Sequence, residues 1–193
     1  MGQVILNITM SLDGFTAGPN VSLEKPLGEN GMRLHQWLFE GKTARDAELI
    51  DEQFKTTGAF IIGRRMFDVG EKPWGDDGAF GMPCFVLTHR PRETLIKGPT
   101  TFTFVTDGIE SALRQAKAAA GDKNVCVNGG SDIADQYLKA GLIDEIHIHI
   151  VPLLFGAGTR MFDHIGSETI ELRTPEIIAS PKVTHLRYQV VKS

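Results

Sequence analysis

Short apolar runs of strand length recur along this chain with helix-period segments between several of them, and that alternation most narrows the fold. Val4 to Met10, Ala59 to Ile62, Cys84 to Thr88, Thr101 to Val105, Val125 to Val127 and Ile143 to Val151 read as buried strands. Thr43 to Phe54 reads as a helix, with Thr43 and Asp46 as a short-armed capping box and Ala47, Ile50 and Phe54 on its inner face. The clearest helix is Asp107 to Ala120. Asp107 caps it, Glu110 closes the reciprocal box, Ile109, Leu113, Ala116 and Ala120 form the stripe, and Gly121 ends it. Residues 132 to 140 make a further helix, capped by Ser131 and stopped at Gly141. Parallel strands need a long crossover, usually a helix, so this order implies an α/β fold with a mostly parallel central sheet and flanking helices. Val183 to Val191 alternates with period two and adds an antiparallel C-terminal strand. Residues 16 to 31 and 69 to 83 read as long loops, and nothing in composition marks a linker, so residues 1–193 read as one domain.

Charge excludes one class of partner. With 20 Lys and Arg against 24 Asp and Glu the formal charge is −4, which is no footprint for nucleic acid. No run approaches the roughly 20 apolar residues that span a bilayer. The Met1 to Leu6 start lacks the basic segment of a signal peptide, so the expected location is cytoplasmic. Two cysteines, Cys84 and Cys126, cannot build a disulfide scaffold or a four-thiolate zinc site, and both read as buried thiols.

Several familiar motifs fail on inspection. Gly41-Lys42-Thr43 resembles the end of a phosphate loop, but Gln36 stands where glycine is required. Gly156-Ala157-Gly158 opens a dinucleotide fingerprint whose third glycine is Met161 instead. His147 and His149 share one strand face, but no third ligand is visible, so no metal is expected and they read as residues on a solvated face. What survives is a set of turns at strand ends. Gly63-Arg64-Arg65 offers free N–H groups and guanidinium forks suited to a phosphate, or else is a solvated turn. In Asn128-Gly129-Gly130-Ser131 the glycine pair lets a ligand approach the backbone, or else permits tight crossover packing. Thr88-His89-Arg90 adds a third polar cluster, and in an open parallel sheet ligands bind beyond the carboxyl ends of the strands.

Met10-Ser11-Leu12-Asp13-Gly14, Ile62-Gly63-Arg64-Arg65-Met66-Phe67, Val86-Leu87-Thr88, Asn128-Gly129-Gly130-Ser131 and Pro152-Leu153-Leu154-Phe155-Gly156-x-Gly158 occur in that order. The set resembles the reductase (C-terminal) domain family of the bifunctional riboflavin-biosynthesis deaminase–reductases, from residue 2 to about 190. The resemblance implies a dihydrofolate reductase-like fold and an NADPH-dependent reductase acting on a carbonyl or imine of a pyrimidine- or pterin-like substrate, as in 5-amino-6-(5-phosphoribosylamino)uracil reduction. It implies that Gly63, Arg64 and Arg65 hold cofactor phosphates, Thr88, His89 and Arg90 the 2′-phosphate and adenosine side, and Gly129, Gly130 and Ser131 the pyrophosphate. Asp13 would be the catalytic carboxylate near the nicotinamide, and Pro152, Leu153 and Phe155 would wall the substrate pocket. A homodimer is expected on the same ground. The alternatives are a true dihydrofolate reductase and a nucleotide-binding module without turnover.

Asp13 also has a purely local reading, since Asp-Gly is a good turn pair. Asp46, Glu48 and Asp51 are rival acids, because folate reductases carry a helix carboxylate, although a charged outer helix face accounts for them. Trp37, Trp74 and Phe155 read as core or loop anchors, with stacking on a flat heterocycle as the second use. The deaminase half is missing: Met82-Pro83-Cys84-Phe85 lacks a second thiol, and no separate site for a substrate phosphate is legible.

Overall fold

In the computed structural model, which describes residues 2–192, the chain runs through β1 (Val4–Ser11), β2 (Phe15–Ala17), a 3-10 turn (Gly31–His35), α1 (Gln36–Phe39), α2 (Ala44–Thr56), β3 (Thr57–Gly63), α3 (Arg64–Gly70), β4 (Pro83–Leu87), β5 (Leu95–Lys97), β6 (Thr100–Val105), α4 (Ile109–Ala120), β7 (Asn124–Asn128), α5 (Ser131–Lys139), β8 (Glu145–Val151), β9 (Thr159–Arg160), β10 (Leu172–Ala179) and β11 (Thr184–Val190). Nine strands form one sheet in the order β10-β11-β8-β1-β7-β3-β4-β6-β5. The interior from β8 to β6 is parallel, while β11, β10 and the edge strand β5 run antiparallel to their neighbours. Two antiparallel strands therefore close the C-terminal side where the sequence suggests one. No described helix is long and apolar enough to cross a membrane.

Strand alternation divides the core. Val4, Leu6, Ile8, Ala59, Ile61, Val125 and Val127 meet α4 and α5 on one face. Phe60, Ile62, Cys84, Val86 and Cys126 meet Phe67, Phe80 and Phe102 on the other. Burial pushes the Cys126 thiol up to about 12.

The helix ends differ from the sequence reading in instructive ways. Thr43 and Asp46 form the expected capping box. The cap of α4 is Gly108 at φ 98°, not Asp107, and no side-chain bond closes a box there. In α5, Ser131 is the first helical residue and Gly130 is the cap. At both ends the chain turns through a conformation open to glycine and closed to a side chain that could cap.

Helix α2 is also rotated relative to its apolar pattern. Asp46 and Leu49 are its buried residues, while Phe54 is 41% exposed. The reason is polar. Asp46, only 2% exposed, accepts from His185 Nε2 at 2.9 Å and from the Ser180 hydroxyl, so the charged outer face proposed for Asp46 does not hold. His149 Nδ1 lies 2.7 Å from His185 Nδ1, and His149 Nε2 lies 3.1 Å from the Asn7 amide. The face carrying His147 and His149 is consequently covered, not solvated: His147 pairs with Glu145 at 3.0 Å, and Trp37 packs on His149 and His185.

Burial, then the neighbouring His185, His147 and Arg187, hold His149 down at about 3. An unfolded chain takes up that proton near 6.5, so between these values the unfolded state binds more protons and stability falls as pH falls, by up to about 1.4 kcal/mol per pH unit. Above pH 6.5 the group contributes no slope. Urea unfolding at stepped pH from about 7 to 5, above the ordinary carboxylate range, is expected to show this decline in the wild-type chain. His149→Gln makes it shallower, with burial of His35 and His147 supplying the remainder; equal slopes for the two proteins would assign the whole decline to those other groups.

Candidate functional site

Parallel pairing lines up the carboxyl ends of β1, β3, β4 and β7, and the turns that follow them line a cavity of about 690 Å³. Gly63, Arg64, Arg65, Thr88, His89, Arg90, Gly129, Gly130 and Ser131 all lie in its wall. The three turns singled out in the sequence thus converge on one space, within the volume range of small-molecule sites.

Each turn has its own physics. Arg64 Nε binds Asp68 at 2.7 Å and its Nη1 donates to the Arg90 carbonyl, while Arg90 Nη2 reaches the other Asp68 oxygen at 2.8 Å. One carboxylate thus holds two guanidinium groups at the rim. Such partly exposed pairs are worth roughly 0–1 kcal/mol, so an arriving anion can take over their hydrogen bonds. Arg65 is exposed and, among the described residues, has no carboxylate partner. Thr88 spends its hydroxyl on the local turn, accepting from the Arg90 amide at 3.0 Å.

The glycine pair separates into its two readings. A side chain on Gly129 would strike the Met66 sulfur at 2.1 Å, so this glycine serves close packing of α3 against the turn. At Gly130 the space a side chain would fill is open within 4 Å. Gly130 therefore leaves room for a ligand beside the start of α5, whose first N–H groups lack helical acceptors. Gly63 belongs with Gly129: a side chain there would meet Ile133 at 2.9 Å.

Charge is distributed unevenly along the cavity. The β3–β4 side carries Arg64, Arg65, His89 and Arg90. The β1 side is lined by Asn7, Thr9, Thr16, Val21, Leu27 and His35, with no Lys, Arg, Asp or Glu. Burial pushes His35 below its ordinary value, which leaves that side uncharged near neutral pH. Among the described residues no group of three or more His, Cys, Asp or Glu is placed to hold a metal ion.

Asp13 does not line this cavity. Its carboxylate accepts from the Ser11 hydroxyl at 2.6 Å, the Gly156 N–H at 2.8 Å and the Phe155 N–H at 3.1 Å. The Ser11 bond above all, with the two amides, holds its carboxyl down at about 2. Asp13 is the clasp between the turn after β1 and the loop after β8. Pro152, Leu153 and Phe155 are likewise absent from the cavity wall. Leu153 and Phe155 pack on Leu34, Trp37, Val151 and Val183, because the clasp draws that loop onto the separate cluster beneath the 3-10 turn. Trp74 stacks on Phe102 in the core. Sequence reasoning missed the β1 side of the cavity almost wholly, although Asn7 gave a signal: it is the one amide in the apolar run from Val4 to Ile8.

The sequence matches the RibD C-terminal domain family over residues 3–186. The uncharacterized protein YwjB of Bacillus subtilis is 24% identical over 172 residues, which make up 86% of this chain and 86% of that protein. The riboflavin biosynthesis protein RibD of Corynebacterium ammoniagenes is 24% identical over 185 residues, covering 88% of this chain and 48% of its own length. Among solved structures, a Shewanella sp. PV-4 protein provisionally assigned to riboflavin biosynthesis shares the fold at TM-score 0.74 and 20% identity, covering 98% of this chain and 99% of that one. A pyrimidine reductase-like protein of Corynebacterium diphtheriae does so at TM-score 0.61 and 14% identity, covering 99% of this chain and 93% of its own. The ordered turns, the cavity they enclose and a match over nearly the whole sequence place this chain in the RibD C-terminal domain family.

Proposed function

We propose that this protein is an NADPH-dependent reductase that reduces a carbonyl or imine of an uncharged pyrimidine- or pterin-like heterocycle. The observation that carries this reading is the division of one cavity into a cationic side on β3 and β4 and an uncharged side at β1. A phosphorylated dinucleotide fits the first: Arg64, Arg65 and Arg90 would take phosphate charge, and the open space at Gly130 would admit the pyrophosphate against the start of α5. The bound cofactor supplies hydride. The protein's own contribution is alignment and exclusion of water, which α/β reductase sites achieve by walling the reacting ring. Here Ile8, Ala17, Val21 and Leu27 provide apolar wall, while Thr9 and Thr16 offer hydroxyl groups to a polar ring. A phosphate-bearing substrate is disfavoured on the β1 side because no guanidinium or ammonium lines it. A homodimer and a cytoplasmic location belong to the same reading through the family.

Three outcomes test it. Saturating NADPH is expected to raise the melting temperature by several degrees more than equimolar NADH, since ligand at a hundred times its Kd contributes about 2.7 kcal/mol; no shift at millimolar NADPH would reject cofactor binding. Joint Arg64→Ala and Arg65→Ala substitution should weaken NADPH by about tenfold or more and NADH far less, measured by fluorescence titration. Equal losses would show that these side chains do not read the 2′-phosphate. Asp13→Asn is expected to lower the melting temperature while leaving NADPH affinity within about twofold, because an amide cannot accept all three bonds of the clasp; unchanged stability with lost turnover would instead return Asp13 to a catalytic role.

A further inference from the structure

Asp46, His185, His149 and Asn7 form one continuous hydrogen-bonded chain from helix α2 through β11 and β8 to the cavity at β1. Its direction follows from charge at the Asp46 end. Burial opposes that charge, but bonds from Ser180, the Thr43 backbone and His185 outweigh it and keep the carboxyl at about 2, so Asp46 is an anion that needs donors. His185 must present Nε2–H to it. With its ring hydrogen on Nε2, His185 offers Nδ1 as the acceptor to His149 Nδ1–H across their 2.7 Å contact. His149 Nε2, left without a hydrogen, accepts from Asn7 Nδ2, whose second hydrogen goes to Gln53 Oε1 at 3.1 Å. Every donor and acceptor along the chain matches in this arrangement of hydrogens.

The consequence lies at the far end. Both Asn7 amide hydrogens are committed, so its Oδ1 cannot swap places with its nitrogen without opposing His149. Among the described residues that oxygen accepts no bond, and it is not one of their buried polar atoms left without partners, which are Trp37 Nε1, Thr57 Oγ1 and Asp135 Oδ1. Asn7 itself lines the cavity on the uncharged side. We propose that Asp46, His185 and His149 are positioning residues that lock the Asn7 carbonyl oxygen toward the cavity, where it selects substrates presenting a ring N–H donor. This rests on the reductase reading for the identity of the occupant, but the lock itself does not. The other titratable or charged groups around the two rings are His147 and Glu145 on β8, Arg187 on β11, Glu52 on α2 and His35 on the 3-10 turn. None of them is hydrogen-bonded to either ring.

Histidine 15N NMR of the wild-type chain tests the lock without cofactor or turnover. His149 is expected as the Nδ1–H tautomer, with hydrogen on His185 at Nε2 and not at Nδ1. In Asp46→Asn, whose amide no longer demands a donor, the two rings should show mixed tautomers. Finding His149 as Nε2–H or charged in the wild type overturns the lock. For the selection, calorimetry with the NADPH-saturated protein compares 5,6-diaminouracil with its 1,3-dimethyl counterpart, whose ring nitrogens carry no hydrogen. The parent pyrimidine is expected to bind about tenfold more tightly, and Asn7→Ala should shrink that ratio to about twofold. Equal binding, or binding of neither, overturns the selection, and both measurements stand on the wild-type chain should Asn7→Ala not fold. Failure of NADPH itself to bind counts against the reductase reading and leaves the tautomer result intact.

Discussion

Parallel pairing of the inner strands is the constraint on which the site depends. In a parallel sheet every strand delivers its C-terminal turn to the same edge, and here β1, β3, β4 and β7 do so side by side. The cationic turns of β3 and β4 and the uncharged wall at β1 become two sides of one space through sheet order alone. β3 lies between β4 and β7, so the glycine turn after β7 is held against α3 through the Gly129–Met66 contact.

Much of this was legible in the residues because it is local. Apolar runs fully buried on two faces, glycine after a strand and cations after glycine announce a parallel sheet and its ligand edge within windows of a few residues. The capping box at Thr43 was legible for the same reason. The fate of Asp13 was not, because the N–H groups that consume it belong to residues 142 and 143 positions away. A sequence window sees only the Asp-Gly turn and leaves both roles open.

Asp46 shows the opposite error. Grouped by charge it belongs with Glu48 and Asp51, but on a helical wheel it falls opposite them, on the side of Leu49, and it is buried where they are exposed. Its partners Ser180 and His185 lie on and beside the last strand, and no periodicity in α2 announces them. Two aspartates thus exchange expected places: the one beside the first strand ties loops together, and the one on the helix reaches inward. In both cases the partners are hydrogen-bonding groups far away in sequence, which no local window contains.

The join between Asp46 and His185 spans 139 residues, and the imidazole comes from the final strand of the chain. On the ribosome, therefore, helix α2 emerges long before the group that satisfies its buried carboxylate. Until β11 docks beside β8, that carboxylate has reason to remain in water, and His149 lacks the neighbour at its Nδ1. The buried carboxylate gains its imidazole only once β11 has emerged and paired with β8.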